Sequence, residues 1–150
     1  MTTLLHRIQT LSDDDAQRIL TTFARNQPGY SDSPLSPELT TALRHEPDLT
    51  ATAASTGDLA RAALLLLADD PQHHPIIDAM TSQPPAQHFG LLETAVVMGA
   101  VLFVLGTHMK IERNTQGAWT IKIEKKPTDP KLLKLLMEKL LGFAHKNPSS

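Results

Sequence analysis

The residues of this chain best equipped for chemistry stand in Asp69-Asp70-Pro71-Gln72-His73-His74, its densest run of oxygen and nitrogen ligands. Carboxylates and neutral imidazoles are donors that zinc or manganese accepts. Neighbouring side chains diverge on a helix or a strand, however, and no second pair stands at a spacing that completes a coordination shell. The segment therefore reads as a helix-breaking loop whose aspartates cap and whose histidines are exposed. Asp13-Asp14-Asp15 lacks the glycine and distal glutamate of a calcium loop and reads as a helix start. Glu93 and His108 flank an apolar helix and could meet as acid and base, but exposed helix and strand-end positions explain them equally well. There is no His-Glu-x-x-His, Gly-x-Ser-x-Gly, P-loop or Gly-x-Gly-x-x-Gly. Without cysteine there is no thiolate catalysis and no Cys-ligated metal. The reading is a non-enzyme with no catalytic, cofactor-binding or metal-ligating residues.

Composition narrows the partners. The 150 residues are enough for one domain with a real core. A net charge of −2 with mixed signs sets up no field to attract nucleic acid, and one Trp and one Tyr make no stacking ladder for bases. The N-terminus lacks the basic and long apolar regions of a signal peptide. The most apolar stretch, Ala95 to Leu105, is far shorter than the roughly 20 residues of a membrane-spanning helix. A soluble, cytoplasmic protein without a membrane span or a nucleic-acid partner is expected.

The elements that must position any site are legible as helices first. Ser12, with Asp15 three residues on, predicts a capping box for a helix carrying Ala16, Ile19, Leu20 and Phe23 on one face and stopping near Asn26. A shorter helix with Leu4, Leu5 and Ile8 precedes it. Gln27 to Pro37, rich in Pro, Ser and Gly, reads as an exposed linker. Ser36-Pro37-Glu38 opens the next helix, with Leu39, Ala42 and Leu43 as its face, and Glu46-Pro47-Asp48 ends it. Thr50 to Ser55 suits a helix extension or a loop equally. Thr56-Gly57-Asp58 caps a helix from Leu59 to Ala68 that is apolar around most of its circumference and hence central. Pro75 starts a short helix with Ile76, Ile77 and Met80, and Ser82 to Pro85 closes the helical section.

Beyond it the periodicity changes twice. Gln87 to Gly106 predicts a broadly apolar helix, with Leu91, Ala95, Met98 and Leu102 on one side and Leu92, Val96, Gly99 and Phe103 on the next. Gly99, Ala100 and Gly106 are small enough for another backbone to come close. From His108 to Lys126 the apolar residues alternate, as in a β-hairpin turning at Asn114-Thr-Gln-Gly117. Met109, Ile111, Trp119, Ile121 and Ile123 share one face, which predicts a buried Trp119. Lys110, Glu112, Lys122 and Glu124 share the other, where cross-strand Lys–Glu pairs can form. Thr128-Asp129-Pro130 caps a last helix, with Leu132, Leu133, Leu136, Leu140 and Phe143 as one stripe and Leu135, Met137 and Leu141 widening it. Its lysines read as a solvated edge, and His145 onward as a frayed tail. The fold class is mainly α with a small antiparallel β-hairpin: one helical domain over 1–146, made of a helical part (1–85) and a helix–hairpin–helix unit (86–146), with a tail at 147–150.

Three stretches, Ala95 to Leu105, Ile121 to Pro127 and Leu132 to Leu136, together resemble small adaptor-like components associated with effectors of bacterial conflict and immunity systems, where an apolar helix, a short β-ribbon and a Leu-rich helix recur. The resemblance spans about a third of the chain and transfers no functional motif. It implies an adaptor or accessory subunit in a bacterial defence system. The residue pattern points the same way, to a protein–protein interaction module acting through apolar helix faces. Its partner is another protein or a second copy, and Leu135, Met137 and Leu141 are the candidate contacts. The alternative is a small-molecule or lipid-binding helical domain with a pocket lined from Leu64–Leu67 and Met98–Phe103.

Overall fold

In the computed structural model, which describes residues 4–28, 30, 37–45, 49–82, 94–124 and 130–146, seven helices and one two-stranded sheet follow one another in the expected order. Helix α1 (Leu4–Gln9) buries Leu4 and Ile8 and leaves Leu5 exposed. Helix α2 (Asp13–Arg25) starts at Ser12, whose Oγ accepts the Asp15 N–H at 3.2 Å. The reciprocal half of the capping box is missing, since Asp15 Oδ1 is buried without a hydrogen-bond partner among the described residues. Helix α3 (Pro37–His45) buries Leu39, Ala42 and Leu43 as its spacing predicts.

Helix α4 (Thr56–Asp69) is the hub. Its N-cap is Ser55, one residue earlier than Thr56, and here the capping box is complete. Ser55 Oγ accepts the Asp58 N–H at 3.1 Å, and Asp58 Oδ2 accepts the Ser55 N–H at 3.0 Å. Leu59, Ala60 and every residue from Ala62 to Ala68 are buried, so α4 needs neighbours on all sides and packs against α1, α2 and the later helices. Each leucine so covered contributes roughly 1.5–3 kcal/mol over exposure. Arg61 is the polar exception. It donates to Asp58 Oδ1 and Asp13 Oδ1, both at 2.7 Å, and to the Leu11 carbonyl at 3.0 Å, tying the starts of α2 and α4 together. Gly57 belongs to the same junction, where a side chain would collide with the Asp13 carboxylate.

Helix α5 (His74–Ser82) carries Pro75 in its first turn, buries Ile77 and leaves Ile76 exposed. An Arg7–Asp78 ion pair ties it to α1. Helix α6 (Thr94–Gly106) packs on α2 and α4 and buries Val96, Val97, Met98, Ala100, Val101, Val104 and Leu105. The expected start of this helix, including Leu91, Leu92 and Glu93, lies outside the described residues, as do residues 31–36, 46–48 and 125–129 and the tail 147–150. The linker expectation changes at Tyr30, which packs against the core and donates its hydroxyl to the Val96 carbonyl at 3.2 Å.

Strands β1 (Met109–Arg113) and β2 (Trp119–Ile123) pair antiparallel, Met109 facing Ile123, Ile111 facing Ile121 and Arg113 facing Trp119. The register puts all the expected apolar residues on one face. It overturns the cross-strand Lys–Glu pairing, because Lys110 faces Lys122 and forms its ion pair with Glu112 of its own strand, at 3.2 Å. Gly117, at φ 87°, supplies the left-handed turn residue. Helix α7 (Pro130–Lys146) runs through His145 and Lys146, which the sequence assigned to the tail, and packs on α3 and α4. The undecided stretch from Thr50 to Ser55 is not helical. The Glu138 carboxylate accepts the Thr50 N–H at 3.0 Å and the Glu138 carbonyl the Thr52 N–H at 3.4 Å. Gly142 makes this approach possible, since a side chain there would strike the Thr52 carbonyl. One buried cluster runs from Leu4 through α4 and α6 to Ala144, so both parts of the chain share a core.

Candidate functional site

The ligand-rich segment serves the turn between α4 and α5. Asp70 is only 5% exposed. Its Oδ1 accepts the Gln72 N–H at 2.9 Å and its Oδ2 lies 3.1 Å from His73 Nδ1. His73 is half-buried rather than exposed, with its ring edge-on to Phe23 at 5.3 Å. His74 Nδ1 donates to the Ala68 carbonyl at 2.9 Å. The two imidazoles thus turn to different partners. No group of three or more metal-capable side chains gathers among the described residues.

His108 is also misplaced by its sequence reading. It is 1% exposed, not an exposed strand end, with Nδ1 2.8 Å from Thr107 Oγ1 and 3.3 Å from the Val104 carbonyl. The Glu93 that would complete an acid–base pair lies outside the described residues. Asp13 is engaged with Arg61. In that cluster the Asp58 carboxyl is held below its ordinary value of 3.8, first by the Ser55 N–H and further by Arg61. Burial works against the Arg61 charge, and the bonds to Asp58 and Asp13 outweigh it, so the guanidinium is held charged more firmly than usual. These are joints between helix ends.

The contacts proposed on α7 are not free either. Met137 and Leu141 are each 8% exposed and belong to the core, and Leu135 is half-buried against it. The stripe looked too wide for one packing face because α3 and α4 cover it together. Leu64–Leu67, expected to line a pocket, are all buried within the core.

An accessible apolar concavity stands at the end of α6. A cleft of about 360 Å³ is walled by Leu39 of α3, by Leu102, Leu105 and Gly106 of α6, and by Met109, Lys110 and Ile111 of β1. Only Leu102 coincides with the pocket expected from the sequence. The short turn at Thr107-His108 drops β1 beside the end of α6, and Gly106, where a side chain would meet nothing within 4 Å, keeps the mouth open. Gly106 therefore does not serve a close backbone approach.

Beside the cleft runs the outer edge of β1. The Asn114 N–H donates to the Ala118 carbonyl at 2.8 Å and the Glu124 N–H to the His108 carbonyl at 2.9 Å. With the register, these bonds show that the even-numbered residues, Lys110 and Glu112 among them, bond across to β2. The backbone N–H and C=O groups of Met109, Ile111 and Arg113 therefore point outward, with no strand beyond them among the described residues. The Arg113 side chain turns back onto Trp119, 5.7 Å from its ring centroid, and Arg113 Nε donates to the Gly117 carbonyl at 3.3 Å. Sequence reasoning found the hairpin but not this edge, because the bonding phase of a strand pair is invisible to side-chain alternation.

No family model, no curated protein and no solved structure matches this chain. No helix among the described residues is long and apolar enough to cross a membrane.

Proposed function

We propose that this protein is a non-enzymatic protein–protein interaction module, an adaptor or accessory subunit. Its docking surface is the apolar cleft together with the open edge of β1. The observation that carries this reading is their juxtaposition: leucine, methionine and isoleucine walls stand next to outward backbone donors and acceptors. A docked polypeptide can satisfy the edge with its main chain while alternate side chains leave water for the apolar wall, as in strand addition. The docking role expected of Leu135, Met137 and Leu141 moves to Leu102, Leu105 and Ile111. Service in a bacterial defence system is the setting that the resemblance of its C-terminal half implies. A second reading, a site for a small apolar molecule or lipid, draws on the cleft volume of about 360 Å³, near the low end of ligand pockets.

The test is the native mass of the chain as recovered from its own host. The interaction reading requires a mass above that of the 16.4 kDa monomer. The assembly should be lost in Gly106→Glu, which places a charge at the cleft mouth where there is room for it. A monomer carrying a small molecule would move the assignment to the second reading, and a bare monomer would overturn both.

A further inference from the structure

Resting on the interaction-module reading, we infer that the occupant of the β1 edge is a second copy of this chain, its own β1 added antiparallel about a twofold axis at Ile111. Register and charge both select it. The outward-facing residues of β1 are Met109, Ile111 and Arg113, so a twofold pairing that joins at least two of them from each copy has three settings. Centred on Lys110, it sets Lys110 against Lys110. Centred on Glu112, it sets Glu112 against Glu112. Centred on Ile111, it sets Lys110 against Glu112 of the partner subunit, twice, and Ile111 against itself. Opposite charges directly across a strand pair stabilise it, and like charges do the reverse. Only the Ile111 setting is complementary.

The same setting mends a fault within the monomer. Lys110 faces Lys122 across the hairpin, two like charges side by side, with Glu112 reaching Lys110 only along the strand. In the pair, the row on the exposed face becomes Lys122, Lys110, then Glu112 of the partner subunit, so the cationic end gains a carboxylate. A two-stranded ribbon is marginal alone, whereas the pair forms a continuous four-stranded sheet. The Arg113 side chain, folded back over Trp119, leaves the edge clear for it.

Sedimentation of the full chain over a concentration series tests this. The native chain should show a monomer–dimer equilibrium. Lys110→Glu and Glu112→Lys should each weaken it about tenfold, through two like-charge pairs per dimer. Mixing the two variants should restore a dimer of native strength, because every facing pair is then opposite in charge, and a folding defect cannot be repaired by mixing. Ile111→Cys, in a chain with no other cysteine, should oxidise to a disulfide dimer faster than Thr115→Cys in the exposed turn, which decides the matter even where a charge variant fails to fold. The inference is overturned by a native chain monomeric up to about 1 mM, by folded charge variants that dimerise like the native chain, by a mixture that stays monomeric, or by equal oxidation of the two cysteines. A chain monomeric by itself but recovered from its host with a different protein would defeat this inference and leave the interaction-module reading standing. Recovery of the chain as a bare monomer defeats both.

Discussion

Helix α4 is apolar around most of its circumference, strand β1 sets apolar Met109 and Ile111 among charged residues, and the fold treats the two oppositely. Every leucine from Leu64 to Leu67 is buried, and the helix satisfies its own backbone, so α4 offers nothing to a partner. Strand β1 buries Met109, half-buries Ile111, and leaves the main-chain groups of one edge outward. Apolar content is thus a poor guide to an interaction surface. What matters is whether the element's polar backbone is closed on itself, as in a helix, or requires a neighbour, as in a strand.

The comparison can be broken first at its strong end. Leu66→Ala should destabilise the fold by about 2–5 kcal/mol, read from chemical denaturation, since α4 is packed on all sides and the cavity cannot collapse. A loss below about 1 kcal/mol would mean that α4 is no hub. Next come two of the helix glycines. Gly142→Ala should cost about 1–3 kcal/mol by forcing α7 off the Thr52 backbone. Gly106→Ala should be neutral or stabilising by up to about 1 kcal/mol, because its side chain meets open space. Equal effects from both would remove the contrast between a packed and an open helix end.

At the hairpin, Trp119→Ala should cost only about 1 kcal/mol, the scale of a half-exposed stack under Arg113 rather than of a core aromatic. The emission of this single tryptophan should be red-shifted and open to quencher. Blue-shifted, protected emission would place the hairpin tip in the core. The smallest effect is that of Asp58. Its carboxyl titrates below 3.8 in the folded chain, so its stabilisation is complete above that pH and is lost as the pH falls through the lowered value. Asp58→Asn should therefore be less stable than the native chain at neutral pH, by under about 1 kcal/mol for so exposed a pair, and the two stability curves should converge as the pH falls through the lowered value. A constant gap across the acid range would assign the loss to packing.

Ser12 and Pro37 mark helix starts, and the spacing of Leu39, Ala42 and Leu43 or of Leu59 to Ala68 picks out buried faces. These are local rules, and the chain alone carries them. The hairpin was legible from its alternation and from Asn114 to Gly117 for the same reason. Local patterns fail where distant segments meet. Nothing near His108 shows that it is buried, and nothing near Met137 or Leu141 shows that α3 and α4 pack on their helix. The stretch from Thr50 to Ser55 is decided by Glu138, more than eighty residues away.

The amino-acid order by itself therefore determined the helices, the hairpin and most of the core, because periodicity, caps and turn residues act within a few positions. Tertiary structure alone decided which apolar face stays open, for exposure is a property of what packs against an element. It covered the wide stripe of α7 and left the narrower edge of β1 beside a cleft.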